Sequence, residues 1–155
     1  MREISGSIDI DAPPQHVWPI LVQLRRHPEW NPFVARARGV PLPWADLRAR
    51  LPRSEGREVR LRATVTEYES GRRFRWVGRL PVPGLLRVEH THEVEPLPDG
   101  RTRHVLRQRF QGALVPPMGR LVSEADVSLM EANANLKARV EHGRARLAHQ
   151  ELTAA

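Results

Sequence analysis

The sequence predicts one α+β domain in which a curved antiparallel sheet wraps around a long C-terminal helix. Three observations lead to this class. Residues 4–10 and four stretches between 58 and 114 alternate apolar and polar side chains, the period of half-buried strands. These strands follow one another with only turn residues between them, so strand and helix do not alternate and a doubly wound sheet is excluded. Beyond residue 117, apolar residues recur at spacings of three, four and seven, the stripe of an amphipathic helix. A sheet that grips such a helix buries the apolar faces of both. The length of 155 residues suits one domain, placed at 1–150 with a short tail at 151–155.

Strand one spans residues 4–10, with Ile4, Ile8 and Ile10 on one face and Ser5, Ser7 and Asp9 on the other. Asp11 is placed to cap the helix that follows, and Pro13 or Pro14 suits its first turn, where no N–H partner is needed. That helix turns Val17, Trp18, Leu21 and Leu24 inward, and Pro19 shortens or kinks it. Residues 26–33 contain two prolines and give a short helical turn passing into a loop, whose Trp30 and Phe33 close one end of the core. Residues 40–56, with prolines at 41, 43 and 52, form a long loop with a short strand inside it. Four strands follow over 58–68, 73–80, 85–95 and 102–114. Turns at Ser70-Gly71, at Pro81 to Gly84 and at Pro98-Asp99-Gly100 separate them. The final helix covers about 117–149, its stripe formed by Leu121, Ala125, Leu129, Ala132, Leu136, Val140 and Leu147.

Composition narrows the function classes. A hydrophobic fraction of 40% is too high for disorder, and no apolar run reaches the roughly 18 residues of a membrane span. The first residues alternate in polarity and carry no secretory signal pattern. With no cysteine, disulfides, thiolate metal sites and cysteine nucleophiles are excluded, which fits a cytoplasmic protein. The net charge of +7 raises the question of nucleic acid. Of 25 basic residues only Lys137 is a lysine, so 24 are arginines, and these are dispersed without interleaved aromatics. Such a pattern describes a solvated arginine face and argues against a nucleic-acid partner.

Strand parity locates the candidate chemistry. In the third meander strand only Leu86, Val88, His90, His92 and Val94 suit a core, because the alternate set is Arg87, Glu89, Thr91, Glu93 and Glu95. In the last strand the inward set is His104, Leu106, Gln108, Phe110 and Leu114, opposite Arg103, Arg107 and Arg109. A three-residue loop at 98–100, with Gly100 left-handed, sets both inward sets on one face. It also places His90 opposite Gln108, His92 opposite Leu106 and Val94 opposite His104. Three imidazoles and an amide on an apolar face are either satisfied core groups or the orienting groups of a ligand pocket. The adjoining strand supplies Phe74, Trp76, Gly78 and Leu80, with Trp76 the largest wall and its indole N–H free to reach a ligand oxygen. Asn133, beside the buried helical stripe, touches a ligand or bonds to the sheet.

Other chemistry finds little support. No inward carboxylate accompanies the histidines, so no metal is expected. Neither a Gly-x-Ser-x-Gly elbow nor a phosphate-cradling loop is present. Any catalysis would be proton transfer by His90, His92 or His104, with Glu89 disfavoured by its outward parity.

Several local stretches bring a family into view. They are Ile10-Asp11-Ala12-Pro13 with Val17-Trp18 and Leu21; Pro28-Glu29-Trp30-Asn31-Pro32-Phe33; Arg75-Trp76-Val77-Gly78-Arg79-Leu80; Glu89-His90; Glu95-Pro96; and the helical run from Asn133 to Glu141. Together they resemble the START-like or SRPBCC superfamily, in its bacterial polyketide cyclase/dehydrase-like branch, over nearly the whole chain. The resemblance implies a helix-grip (Bet v 1-like) fold with about seven strands, two short helices after strand one and a hydrophobic cavity between sheet and helix. It implies no cofactor, and it allows a monomer or a homodimer. His92 and His104 depart from the apolar residues common in close relatives and make this pocket more polar.

The leading expectation is a protein that binds a small hydrophobic or aromatic molecule. Trp76, Leu86, Val88, Leu106 and Phe110 would form the wall of its site, with His104, Gln108 and Asn133 as polar contacts. The alternatives are a polyketide cyclase or dehydratase using His90 or His92 as general acid/base, and a protein-interaction module acting through the arginine-rich outer face.

Overall fold

The structure, a computed structural model, describes residues 1–34, 36–38, 46–52 and 58–154. In chain order the elements are β1 (Arg2–Ile10), α1 (Pro14–Val22), a 3-10 helix (Leu24–Glu29), β2 (Arg36–Arg38), β3 (Asp46–Pro52), β4 (Glu58–Glu69), β5 (Arg73–Arg79), β6 (Arg87–Pro96), β7 (Thr102–Gln111) and α2 (Gly119–Ala154). The strands form one antiparallel sheet in the order β1-β7-β6-β5-β4-β3-β2. Strands β1 and β4 to β7 supply the described core-facing side chains; β2 and β3 are described by their backbone pairing.

An α+β chain with an antiparallel sheet and a long C-terminal helix is what the alternation and the helical stripe predicted. The turn at 98–100 forms as its residues dictate. The Leu97 N–H donates to the Arg101 carbonyl at 2.8 Å, and Gly100 takes φ of 82°. The resulting register pairs His90 with Gln108, His92 with Leu106 and Val94 with His104, as strand parity required.

Three local expectations are corrected. Asp11 does not cap α1: the N-cap is Pro13, with Pro14 in the first turn and no side-chain capping bond. Asp11 instead ties the chain to α2, its N–H donating to Glu141 Oε1 at 2.8 Å and its carbonyl accepting from Arg144 at 2.7 Å. Of the two short helices expected after strand one, the second is a 3-10 helix, with Pro28 inside it. The long loop expected over 40–56 contains β3; positions 40–45 and 53–56 lie outside the described residues.

In β4 the pairing with β5 shifts between Val65 and Glu67, a bulge at Thr66. An extra residue there moves the inward set from Leu61, Ala63 and Val65 to Tyr68 and bends the strand. Helix α2 packs on β1, burying Val122, Ala125, Leu129, Ala132, Leu136 and Val140. The approach is close at Gly6, where an added Cβ would stand 2.7 Å from Leu129 Cδ2 and 3.5 Å from Asn133 Nδ2. The side chains of Leu121 and Leu147, also assigned to the stripe, lie outside those described. Among the described residues no helix is long and apolar enough to cross a membrane.

Candidate functional site

The inner face of the sheet is built in rungs. One rung runs Trp76, His90, Gln108, Ile4 across β5, β6, β7 and β1; the next runs Phe74, His92, Leu106, Gly6. Gly78, Val88 and Phe110 flank the first, and Val94, His104 and Ile8 the second. The structure therefore brings together Trp76, Val88, His90, His92, His104, Leu106, Gln108 and Phe110, while Leu86 lies beyond Val88 at the end of the sheet. All of them are buried, and His90, His92, His104 and Gln108 have 0% exposure. Glu89 points to the outer face, where it bonds Arg87.

The 3-10 helix and the loop after it complete the cluster. His27, Trp30, Asn31 and Phe33 are buried there. His27 packs on Trp30 at 4.8 Å between ring centroids and edge-on to His92 at 5.7 Å. Trp76 stacks on His90 at 4.9 Å, Phe33 lies parallel to it at 6.0 Å, and Phe110 meets Phe33 edge-on. His90 and His92 are 4.7 Å apart. Trp30 and Phe33 were expected at one end of the core, but His27 and Asn31 were not recognised as part of the site. The available signal was a histidine and an asparagine on either side of Trp30, in a proline-bound stretch too short to bury anything but its own side chains.

Hydrogen bonding divides the polar groups in two. Asn133 bonds to the sheet: His104 Nδ1 lies 2.8 Å from Asn133 Oδ1, and His104 Nε2 lies 3.0 Å from His92 Nδ1. His27 Nε2–H donates to the Leu21 carbonyl at 2.6 Å. Other buried atoms lack a protein partner: both ring nitrogens of His90, both amide atoms of Gln108, His92 Nε2, His27 Nδ1, Trp30 Nε1 and Asn31 Nδ2. Leaving a buried donor or acceptor unpaired costs about 1–3 kcal/mol.

Burial also sets the charge state. It lowers His27 to about 4 against the opposing Leu21 carbonyl, and His104 to about 4 against the opposing Asn133 amide. His90 and His92 are pushed well below the usual imidazole value, first by burial and then by the neighbouring histidines. All four rings are neutral at pH 7. Among the described residues no group of three or more His, Cys, Asp or Glu is arranged to hold a metal ion.

Among the described residues, two recesses that reach solvent lie near these strands. One of about 440 Å³ lies at the sheet end, lined by Arg79 to Gly84, Leu86, Arg87, Gln111 and Gly112. A smaller one of about 100 Å³ on the outer face lies among Glu67, Arg73, Arg75, Glu89, Glu93 and Arg109. Several outer-face arginines are paired: Arg73 and Arg75 with Glu67 at 3.0 and 2.8 Å, and Arg109 with Glu3 at 2.7 Å.

Comparison with known proteins agrees with this architecture. The model of the family described as polyketide cyclase/dehydrase and lipid transport matches residues 1–142. A protein from Thermus thermophilus is 21% identical at a TM-score of 0.69, with 92% of this chain and 99% of that one covered. A START superfamily protein from Mycobacterium smegmatis is 17% identical at 0.68, covering 90% of this chain and 97% of that one. The di-domain ARO/CYC protein BexL of the BE-7585A biosynthetic pathway is 19% identical at 0.68, covering 91% of this chain and 47% of that one. At these identities the likeness concerns the fold. A search of the curated proteins finds no match.

Proposed function

Because the chain belongs to the polyketide cyclase/dehydrase and lipid transport family, we propose that it binds a small, largely apolar or aromatic molecule between sheet and C-terminal helix. The observation that carries this reading is the rung of His90 and Gln108. Four polar atoms without protein partners sit side by side there, between Trp76, Phe33, Phe110 and Leu106. A core selected for stability alone favours apolar residues at such positions. A few polar groups on an apolar, aromatic wall are the usual means by which pockets orient ligands. This reading requires an opening from the interior to solvent, and it places that opening at the recess beside Leu86, at the end of the sheet four residues along the chain from His90. Titration of the purified protein with 2-naphthol, followed by tryptophan emission, should saturate at one site and weaken about tenfold in His90→Leu. Absence of saturable binding by naphthalene-class probes would overturn the reading.

A second reading, proton transfer in a cyclase- or dehydratase-type reaction, is favoured at one residue. The chain of contacts from Asn133 through His104 to His92 supports His92 over His90 as the base. With an aromatic polyketide precursor, His92→Phe should abolish turnover and His90→Phe should reduce it less; the reverse order would sink the assignment. The third alternative, an interaction module using its outer arginines, is weakened because Glu3, Glu67 and Glu89 neutralise many of them.

A further inference from the structure

We infer that this interior site selects an uncharged ligand that presents a hydroxyl, which donates its proton to His92 Nε2, and that Asn133 and His104 are positioning residues holding His92 in the accepting form. The inference rests on the pocket reading above and names its ligand class.

The direction of donation follows from one atom. A carboxamide oxygen only accepts, so the nitrogen that meets Asn133 Oδ1, His104 Nδ1, carries a proton. A neutral imidazole has one donor and one acceptor, so His104 Nε2 is a lone pair. The contact between His104 Nε2 and His92 Nδ1 then requires the proton on His92 Nδ1. His92 Nε2 is left as a bare lone pair, buried and without a protein partner.

The surroundings specify what suits that lone pair. His90 packs against His92 at 4.7 Å between ring centroids, and both of its ring nitrogens also lack a protein partner. Gln108, paired with His90 across the strands, offers an unpartnered N–H that a ligand oxygen accepts. A hydroxyl gives one proton and accepts another, matching both demands. A carboxylate has no proton to give at neutral pH. It would also approach a second lone pair, on His27 Nδ1, whose ring is 5.7 Å from His92. Among the described residues no Lys or Arg is buried to balance its charge. An ether accepts but cannot donate.

Two measurements decide the matter. Long-range proton–nitrogen spectra of the 15N-labelled protein at pH 7.5 should show His92 and His104 both protonated at Nδ1; an Nε2–H form of either would overturn the relay. Calorimetric titration should find 2-naphthol at least about tenfold tighter than 2-methoxynaphthalene or 2-naphthoate. Asn133→Leu should close the gap between 2-naphthol and the ether, and Asn133→Asp, which keeps an acceptor oxygen, should preserve it. An unchanged gap in Asn133→Leu removes the positioning role. If that variant fails to fold, Asn133→Asp and the imidazole spectra still decide. Naphthoate or ether binding as tightly as 2-naphthol overturns the ligand class while leaving the pocket standing. Failure of all three probes to saturate overturns the pocket and the ligand class together.

Discussion

Alternate residues of β5, β6 and β7 face opposite sides of one sheet, and their polar groups meet opposite fates. On the outer face, charged groups are partly exposed and paired: Glu67 with Arg73 and Arg75, Glu93 with Arg73 and Arg107, Glu89 with Arg87 and Arg109. On the inner face, the polar groups of His90, Gln108 and His92 are uncharged, buried and in large part unpartnered. The same strands thus carry one surface where most charges are paired within the chain and one where neutral polar atoms are buried without partners. Paired charges on a solvated face serve the sheet itself, whereas the unmet hydrogen-bonding capacity among the inner aromatics is what the proposed ligand would satisfy.

The strongest way to break this contrast is acid. Unfolded, each inner histidine titrates near 6.5; folded, His27 and His104 titrate at about 4 and His90 and His92 lower than usual. Between pH 6.5 and about 4 the unfolded chain holds more protons, so stability is full above this window and is lost as pH falls through it. His27 and His104 should each account for about 3 kcal/mol by pH 4. Urea midpoints should stay level above pH 7 and drop steeply below 6.5; a level profile down to pH 4 would contradict the neutral, buried assignment.

A smaller effect of opposite sign is expected at Gln108. Gln108→Leu removes two unpartnered buried atoms with little change in volume, and should raise stability by about 1–2 kcal/mol while weakening 2-naphthol. Loss of both stability and binding would instead mean that the amide is satisfied in solution. Smallest of all should be the outer face. Glu67→Gln breaks two partly exposed ion pairs and should cost at most about 1 kcal/mol, a difference that shrinks in 1 M salt.

The inner face was legible because strand alternation leaves few choices: with Arg87, Glu89, Glu93, Arg107 and Arg109 outside, His90, His92 and Gln108 had to be inside. Pro98-Asp99-Gly100 then fixed the register. His27 was not legible, because a six-residue 3-10 helix has no periodicity long enough to assign a face. Its direction is set by the Leu21 carbonyl and by the packing of Trp30. Nor did parity alone foresee Val77, which shares the outer face with Arg75 and Arg79 yet is 1% exposed. Long arginine stems cover apolar surface that the alternation assigns to water. Asp11 misled for a related reason: its composition suits a cap, but Pro13 occupies the capping position and α2 claims the Asp11 backbone.

Helix α2 is continuous in geometry from Gly119 to Ala154, but not in energetics. Its buried side chains end at Val140, and none of the described residues beyond it is buried. Glu141 and Arg144 still bond the Asp11 backbone, and the ten residues after Arg144 extend about 15 Å further. A stretch of that length is marginally helical by itself in water. The first part of the helix therefore shares the cooperativity of the sheet, while the last part frays on its own. It forms a stalk on which a label or fusion can be carried without loading the interior.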